Sequence, residues 1–458
     1  MKQEDTIAAI ATGMTDSGIG IIRISGCDAI QIADRIFNSK SNHKVSEMKS
    51  HTIHYGFIFD ENTIIDEVIL SIMKAPNSFT TEDTIEINCH GGVYVMTKIL
   101  ETVLKNGARP AEPGEFTKRA FLNGRIDLTR AEAVIDLIHS KNDLSIKNSV
   151  NQIRGSLYQR ILNIKDQLLY EIAFIESALD DPEHISLDGY RERLNIKIKD
   201  ITADMNELIS TFKNGRILQE GIKTVIVGKP NVGKSSLLNI MSGSDRAIVT
   251  DVAGTTRDVI EENIYLNGIN LKLLDTAGIR VTNDAVEKIG VEKAKKYADE
   301  ADLIVYIVDA SMELDENDRE IIQMIQDKDA IVLLNKTDLK IILSEEEIET
   351  MTHKTVLSVS AKNRTGIKEF ENLIKDMFIH QRISYDDEVM ITNIRQKNAL
   401  EQAVDSMSMV QQSIQDQMPE DFYSIDLMNA YTSICYIIGE QVDEDLVNEI
   451  FSKFCMGK

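Results

Sequence analysis

The chain has 458 residues, 43% of them hydrophobic and 27% charged, with a formal net charge of −24. That length exceeds what one hydrophobic core usually serves, so about three domains are expected. The acidic balance argues against tight, non-specific nucleic-acid binding.

No apolar run is long enough to span a bilayer. The N-terminus, MKQEDTIAAIATG, has neither the basic start nor the continuous apolar stretch of a signal peptide. Cys27, Cys89, Cys435 and Cys455 are widely spread and form no CxxC pair, which disfavours a zinc site or disulfide framework. Reduced thiols in a cytoplasmic protein are expected. One stretch, TKRAFLNGRIDLTR (117–130), is a local basic exception to the acidic whole.

Residues 1 to about 120 form an α+β zone. IGIIRIS (19–25), EVILSIM (67–73) and TIEINC (84–89) predict strands, and VYVMTKILETVLKNG (93–107) predicts a helix stopped at Gly107. From Val150 the apolar residues Ile153, Leu157, Ile161, Ile164, Leu168, Ile172, Ile175 and Leu179 recur at helical spacing until Asp181-Pro182 ends the run. A second amphipathic stretch follows at 194–212, and the tail returns to the same style from about Asn393. Short helices seldom fold alone, so the two helical halves are expected to pack together around an inserted middle.

That middle zone, from near Gly221 to near His380, alternates strands and helices. KTVIVG (223–228), INLKLLD (269–275), ADLIVYIVD (301–309), AIVLLN (330–335) and TVLSVS (355–360) are apolar, β-branched runs of the kind found in a mostly parallel sheet covered on both faces. Between the first strand and its helix stands Gly228-Lys-Pro-Asn-Val-Gly-Lys-Ser235, a P-loop. Its backbone amides curl around phosphate, and the helix N-terminus adds positive potential. Asn231, Val232, Gly233 and Ser236 belong to that cradle. Lys234 is expected to reach the β/γ-phosphates catalytically, and Ser235 to bind Mg²⁺. Ala253-Gly-Thr-Thr-Arg257 resembles switch I, with Thr256 the second Mg²⁺ ligand, and Thr250, Asp251, Val252, Ala253, Gly254, Thr255 and Thr256 are expected among the GTP-binding residues. Asp275, Thr276, Ala277 and Gly278 fit DxxG, where Asp275 assists Mg²⁺ and Gly278 senses the γ-phosphate. Asn335, Lys336 and Asp338 fit NKxD, whose carboxylate accepts from guanine N1–H and N2–H₂. Adenine lacks both donors, and such a site can discriminate by roughly 10⁴-fold. Ser360, Ala361 and Lys362 are expected at guanine O6. Ile279 stands where Ras-like proteins carry a water-positioning Gln, so the positioned water and the positive charge needed for hydrolysis must come from elsewhere. The ordered set resembles the translation-factor-like GTPases.

The chain as a whole resembles the MnmE (TrmE) family of tRNA-modification GTPases. Outside the nucleotide zone the resemblance rests on GIGIIRISG (18–26), NSFTTEDTIEINCHGG (77–92), PGEFTKRAFLNGRIDLTRAEAVIDLI (113–138) and FCMGK (454–458). Thr81 departs from it, standing where Gly or Arg is common. The resemblance implies a multidomain α/β and α+β protein. Its parts are an N-terminal folate-binding and dimerisation domain (1–120), a discontinuous helical domain (121–215 and 383–458), and an inserted Ras-like P-loop GTPase domain (216–382). It implies a homodimer that works with an FAD- and NADH-using partner, MnmG (GidA), in a heterotetramer. Together they place a 5-carboxymethylaminomethyl or aminomethyl group on the wobble uridine of certain tRNAs. A tetrahydrofolate derivative (5-formyl- or methylene-tetrahydrofolate) supplies the carbon. The acidic balance suggests that the partner holds much of the tRNA.

By matching motifs, the resemblance places folate contacts on Arg23, Glu86, Arg125 and Lys458. It places K⁺ ligands on Asn231, Thr250, Val252 and Thr255, with Val252 offering only its carbonyl. Glu287 matches the water-organising acid of switch II, and Cys455 falls near the folate and tRNA chemistry. CMGK superficially fits a prenylation box, but Lys458 and Gly457 fit it poorly. A regulatory or ribosome-assembly GTPase switch would carry the same nucleotide motifs; the N-terminal strings and the CMGK tail favour the modification reading.

Overall fold

The computed structural model describes residues 5–40, 43–243, 262–266, 269–274, 297–380, 389–454 and 457. The chain divides into two compact units, one of Met1–Ile135, Gln152–Ile201 and Gln402–Lys458, the other of Asp136–Asn151 and Thr202–Glu401.

The first unit is built on a seven-stranded sheet. Its strands are β1 (Ile7–Ile10), β2 (Ser17–Ser25), β3 (Phe37–Ser39), β4 (Thr52–Asp60), β5 (Thr63–Met73), β6 (Thr84–Gly91) and β7 (Arg109–Pro110), in the order β3-β4-β5-β6-β2-β1-β7. All neighbours are antiparallel except β1 and β7. Side chains alternate between faces, as the pleat requires. Ile22, Ile24, Val68, Leu70, Ile72, Ile85 and Ile87 are buried in one core with helices Ala29–Ile36 and Val93–Lys105. The opposite face carries Arg23 and Glu86 in register across β2 and β6.

The apolar run expected from Val150 is two helices, Asp143–Ile153 and Ser156–Asp180, separated at Gly155, whose φ is 98°. Leu157, Ile161, Ile164, Leu168, Ile172 and Ile175 are buried, whereas Leu179 is exposed and Ala178 takes the inward position. Helix Ser156–Asp180 packs along Glu420–Ile438, and Lys165 Nζ lies 2.6 Å from the Glu440 carboxylate just beyond it. Helix Glu444–Ser452 then packs Val447 and Phe451 with Phe454, Leu128 and Ala131. That contact brings the C-terminus back towards the sheet.

The second unit holds a six-stranded sheet: β8 (Ile222–Val227), β9 (Glu262–Leu266), β10 (Ile269–Leu273), β11 (Leu303–Asp309), β12 (Ala330–Asn335) and β13 (Thr355–Ser358), in the order β13-β12-β11-β8-β10-β9. Only β9 is antiparallel. Every residue of β11 is buried. Its Leu303, Val305 and Ile307 enter one core with helices Lys234–Gly243 and Ile367–Lys375; Ile304, Tyr306 and Val308 enter another with Glu316–Ile325 and Glu345–Thr352. This is how a parallel strand reads as a continuous apolar run while still sorting its side chains two ways.

Candidate functional site

The phosphate loop joins β8 to helix Lys234–Gly243. Gly233 adopts φ 103°, and a Cβ there would stand 2.3 Å from the Asn335 amide nitrogen, so a side chain would be excluded by both conformation and space. Asn231 takes the left-handed conformation at φ 63°. Lys234 opens the helix, and its ammonium donates to the carbonyl of Gly228 and, at 3.1 Å, to that of Lys229. Burial lowers the proton affinity of this ammonium below the usual lysine range. An anionic phosphate is the charge complement of such a group.

The other strand ends gather the remaining described candidates. Asn335, buried at the end of β12, donates to Val232 O at 2.7 Å and accepts from the Ala361 amide at 3.1 Å. One side chain thereby ties the phosphate loop to the loop after β13. The hydroxyl of Ser360 donates to Asp338 Oδ1 at 2.7 Å, and Lys362 Nζ lies 3.9 Å from the other carboxylate oxygen. Lys336, at φ 65°, reaches Asp309 Oδ2 at 2.6 Å. Burial works to raise the Asp309 pKa, but hydrogen bonds from Lys336 and Ser311 outweigh it and hold the carboxyl below the usual range.

A second polar constellation lies on the first unit's sheet. Arg23 Nε and Nη2 both lie 2.8 Å from Glu86 Oε1, and Arg23 Nη1 donates to Gly457 O at 3.1 Å. Residues 23, 86 and 457 thus meet although 434 positions separate the first from the last. Gly457 has φ 84°, and a Cβ would stand 2.4 Å from Ile10 O, so only glycine lets the tail lie this close to the strand. The Arg23 guanidinium is 5.5 Å from the Phe116 ring centre; that of Arg125 is 4.9 Å from Phe79. The intervening loop is held from beneath. Buried Arg119 pairs with Asp5 at 2.8 Å and with Glu82 and Glu115 at 3.1 Å, while Asn123 donates to Thr80 O at 2.7 Å. Arg119 is 2% exposed, so it does not contribute to the basic surface expected over 117–130.

Two family descriptions match the chain: "GTP-binding protein TrmE N-terminus" over residues 6–125 and "MnmE helical domain" over 128–455. A tRNA modification GTPase MnmE from Lachnoclostridium phytofermentans is 57% identical over 99% of both chains. Proteins of the same name from Acetivibrio thermocellus and Clostridioides difficile are each 49% identical, covering 100% and 99% of both chains respectively. The chain belongs to the MnmE family of tRNA modification GTPases. A solved structure of Era in complex with MgGDPNP and a 16S ribosomal RNA segment is 29% identical, over 40% of this chain and 66% of that one, at a TM-score of 0.27.

Of the residues expected in an MnmE nucleotide site, Gly228, Asn231, Val232, Gly233, Lys234, Ser235 and Ser236 are on the loop and the start of its helix. Asn335, Lys336, Asp338, Ser360, Ala361 and Lys362 stand at the ends of β12 and β13. Thr250 to Thr256, Asp275 to Gly278, and Glu287 lie outside the described residues, as do Cys455 and Lys458. Sequence reasoning missed Asp309, whose signal is an acid closing an apolar strand. It also missed Phe79, Phe116 and the Gly457 carbonyl; the last, being a backbone group, carries no residue-type signal.

Proposed function

We propose that this MnmE-family protein hydrolyses GTP in a K⁺-dependent cycle coupled to reduced-folate chemistry. With an MnmG-type FAD protein it installs the 5-carboxymethylaminomethyl or aminomethyl group on tRNA wobble uridine. The observation that carries this reading is the meeting of Arg23, Glu86 and the tail residue Gly457 on one sheet face. Both Arg23 contacts to Glu86 use Oε1, so Oε2 can accept from the 2-amino edge of a pterin, and basic groups suit a folate's glutamate tail. Lys458 follows Gly457 directly, which supports its assignment beside Arg23 and Arg125 at that site.

In the nucleotide site, Ser235 and Thr256 would hold Mg²⁺, which offsets phosphate charge; Asn231, Thr250, Val252 and Thr255 would hold K⁺. The loop fits an anion because its helix N-terminus and the Lys234 ammonium converge there. Lys234 stabilises developing phosphate charge, Asp338 and Ser360 read guanine, and Glu287 orients water. The domain boundaries 1–120, 121–215, 216–382 and 383–458 belong to the same reading. Homodimerisation through the N-terminal domain is supported by Ile53, Tyr55 and Ile69, exposed apolar residues on β4 and β5. Cytoplasmic residence completes the picture; among the described residues no helix is long and apolar enough to cross a membrane.

Calorimetry with 5-formyltetrahydrofolate, beside GTPase assays in K⁺ and Na⁺ on the same preparation, tests it. Binding and a rate roughly 10³-fold higher in K⁺, by analogy with what an arginine finger supplies, are expected. Asn231→Ala should remove most of that gain. No folate heat, together with wobble-uridine modification retained in tRNA from a deletion strain, would leave the regulatory-switch reading.

A further inference from the structure

The second residue of the phosphate loop, Lys229, turns its side chain onto the start of helix Glu316–Ile325. Lys229 Nζ lies 2.6 Å from Asp318 Oδ2 and 2.9 Å from Asp315 Oδ2, and its side chain is 15% exposed. Asp318 is 1% exposed. Its other oxygen accepts the Tyr306 hydroxyl at 2.8 Å, and Asp318 Oδ2 also accepts from the Asp315 amide at 3.0 Å in the capping box of helix Glu316–Ile325. Tyr306 is itself wholly buried and stands opposite Val227, the last residue before the loop. The connection therefore runs without a break from the centre of the sheet through Tyr306, Asp318 and the Lys229 ammonium to the Lys229 carbonyl, which accepts from Lys234.

We propose that Asp318 and Lys229 are positioning residues for GTP hydrolysis: their buried ion pair fixes the first turn of the phosphate loop and so places the Lys234 ammonium. The inference rests on the reading of residues 228–235 as the phosphate loop. Two physical effects act together. The pair anchors the Lys229 backbone, whose carbonyl orients Lys234. The Lys229 charge also neutralises the buried Asp318 carboxylate, which would otherwise stand unpaired next to a loop that takes an anion. Asp318 lies outside the nucleotide motifs, and Lys229 fills one of the unspecified positions of the phosphate-loop motif.

The test is a double-mutant cycle on affinity for a fluorescent GDP, with melting temperature recorded in parallel. Lys229→Met and Asp318→Asn should each weaken GDP by about tenfold, the size expected when a charge-assisted bond is lost. The double variant should be no weaker than the worse single one, because removing Asp318's charge relieves what Lys229→Met exposes. Lys229→Arg should stay within about threefold of wild type, since the charge is kept. In steady-state GTP hydrolysis kcat should fall as well as KM rise, because a displaced Lys234 also loses its hold on developing phosphate charge. Unchanged GDP affinity with a lowered melting temperature would make the pair merely structural and overturn the proposal. So would single losses that multiply in the double variant. Should Asp318→Asn not fold, Tyr306→Phe replaces it in the cycle, with a loss of up to about tenfold expected from one hydrogen bond to a carboxylate. Lys234→Ala, run alongside, tests the loop itself: wild-type affinity there would sink the phosphate-loop reading, whereas lost binding there beside unaffected Lys229→Met would sink the positioning role alone.

Discussion

In the nucleotide sheet the candidate site residues stand in loops at the ends of strands; in the N-terminal sheet they stand in the middle of two. Asn335 closes β12, Lys234 follows β8 by a short loop, and Ser360 follows β13. Each of those positions leaves the sheet free to be buried on both faces. Arg23 and Glu86 are instead paired across β2 and β6 on a face partly covered by Phe116 and the tail, each about one-fifth exposed. A parallel sheet covered by helices can offer a ligand only its strand ends. A largely antiparallel sheet with one face only partly covered can offer the face itself. The lesson concerns specification: loop sites are written as short local motifs, whereas a face site is written as register between distant segments.

The sharpest way to break this contrast is at the base pocket. Asp338→Asn should turn preference from GTP towards xanthosine triphosphate, with up to roughly 10⁴-fold loss of GTP preference. The amide would donate where guanine N2–H₂ also donates, while xanthine presents an oxygen. The Ser360 hydroxyl that now donates to Asp338 Oδ1 can still donate to the amide oxygen, so the pocket should keep its shape. Competition binding with both nucleotides decides it; retained GTP preference would remove Asp338 from the base site.

Legibility follows the same divide. The central strands of the nucleotide sheet are largely apolar runs, and those expected at 223–228, 301–309 and 330–335 are found as Ile222–Val227, Leu303–Asp309 and Ala330–Asn335, whereas the edge strand β9, ENIYL, carries too little apolar signal to be expected. In the N-terminal sheet β4 was not evident, because TIHYGFIFD is apolar on both faces: Ile58 is buried while Ile53 and Tyr55 are exposed, which erases the two-residue period. β1 is only IAAI, and alanine gives little strand signal. The helical run hid its break at Gly155 because Ile153 and Leu157 keep helical spacing across it. Thr81, which departs from the family string, sits at φ 62°. That conformation disfavours a β-branched residue, which gives a physical reason for glycine at the position. The Arg23 and Glu86 pairing could be named only through family resemblance, since nothing local to either residue announces a partner 63 positions away.

A middle-sized effect tests the face site. Arg23→Ala removes the partner of Glu86 and the donor to Gly457 O together. Reduced-folate affinity should fall about 10- to 100-fold, as for loss of charge-assisted bonds at a partly buried site. GTP affinity should be unchanged, because no nucleotide motif is touched. Calorimetry with both ligands on one preparation reads this directly. Equal folate affinity would remove Arg23 from the site, and joint loss of both ligands with lowered melting temperature would mark the pair as a determinant of folding instead.

The smallest effect separates Arg125 from Arg23. Arg125 is exposed, and its described contact is a guanidinium 4.9 Å from the Phe79 ring centre. An exposed cation–π contact contributes about 0.5–1 kcal/mol. Phe79 is anchored through its loop by Asn123 on Thr80 and by Arg119 on Glu82, so the ring stays in place when the guanidinium is removed. On the proposed folate reading, Arg125 would meet the anionic tail as an exposed charge beside the Phe79 ring, whereas Arg23 is held by Glu86 and by the Gly457 carbonyl. Arg125→Ala should weaken reduced folate by only about two- to fivefold. The loss should shrink further at high ionic strength, because an exposed charge is screened. Arg125→Lys should recover part of it by restoring the charge without the planar stacking. A loss for Arg125→Ala as large as that for Arg23→Ala, insensitive to salt, would show that the exposed arginine closes onto the ligand and that the two basic residues form one buried clamp.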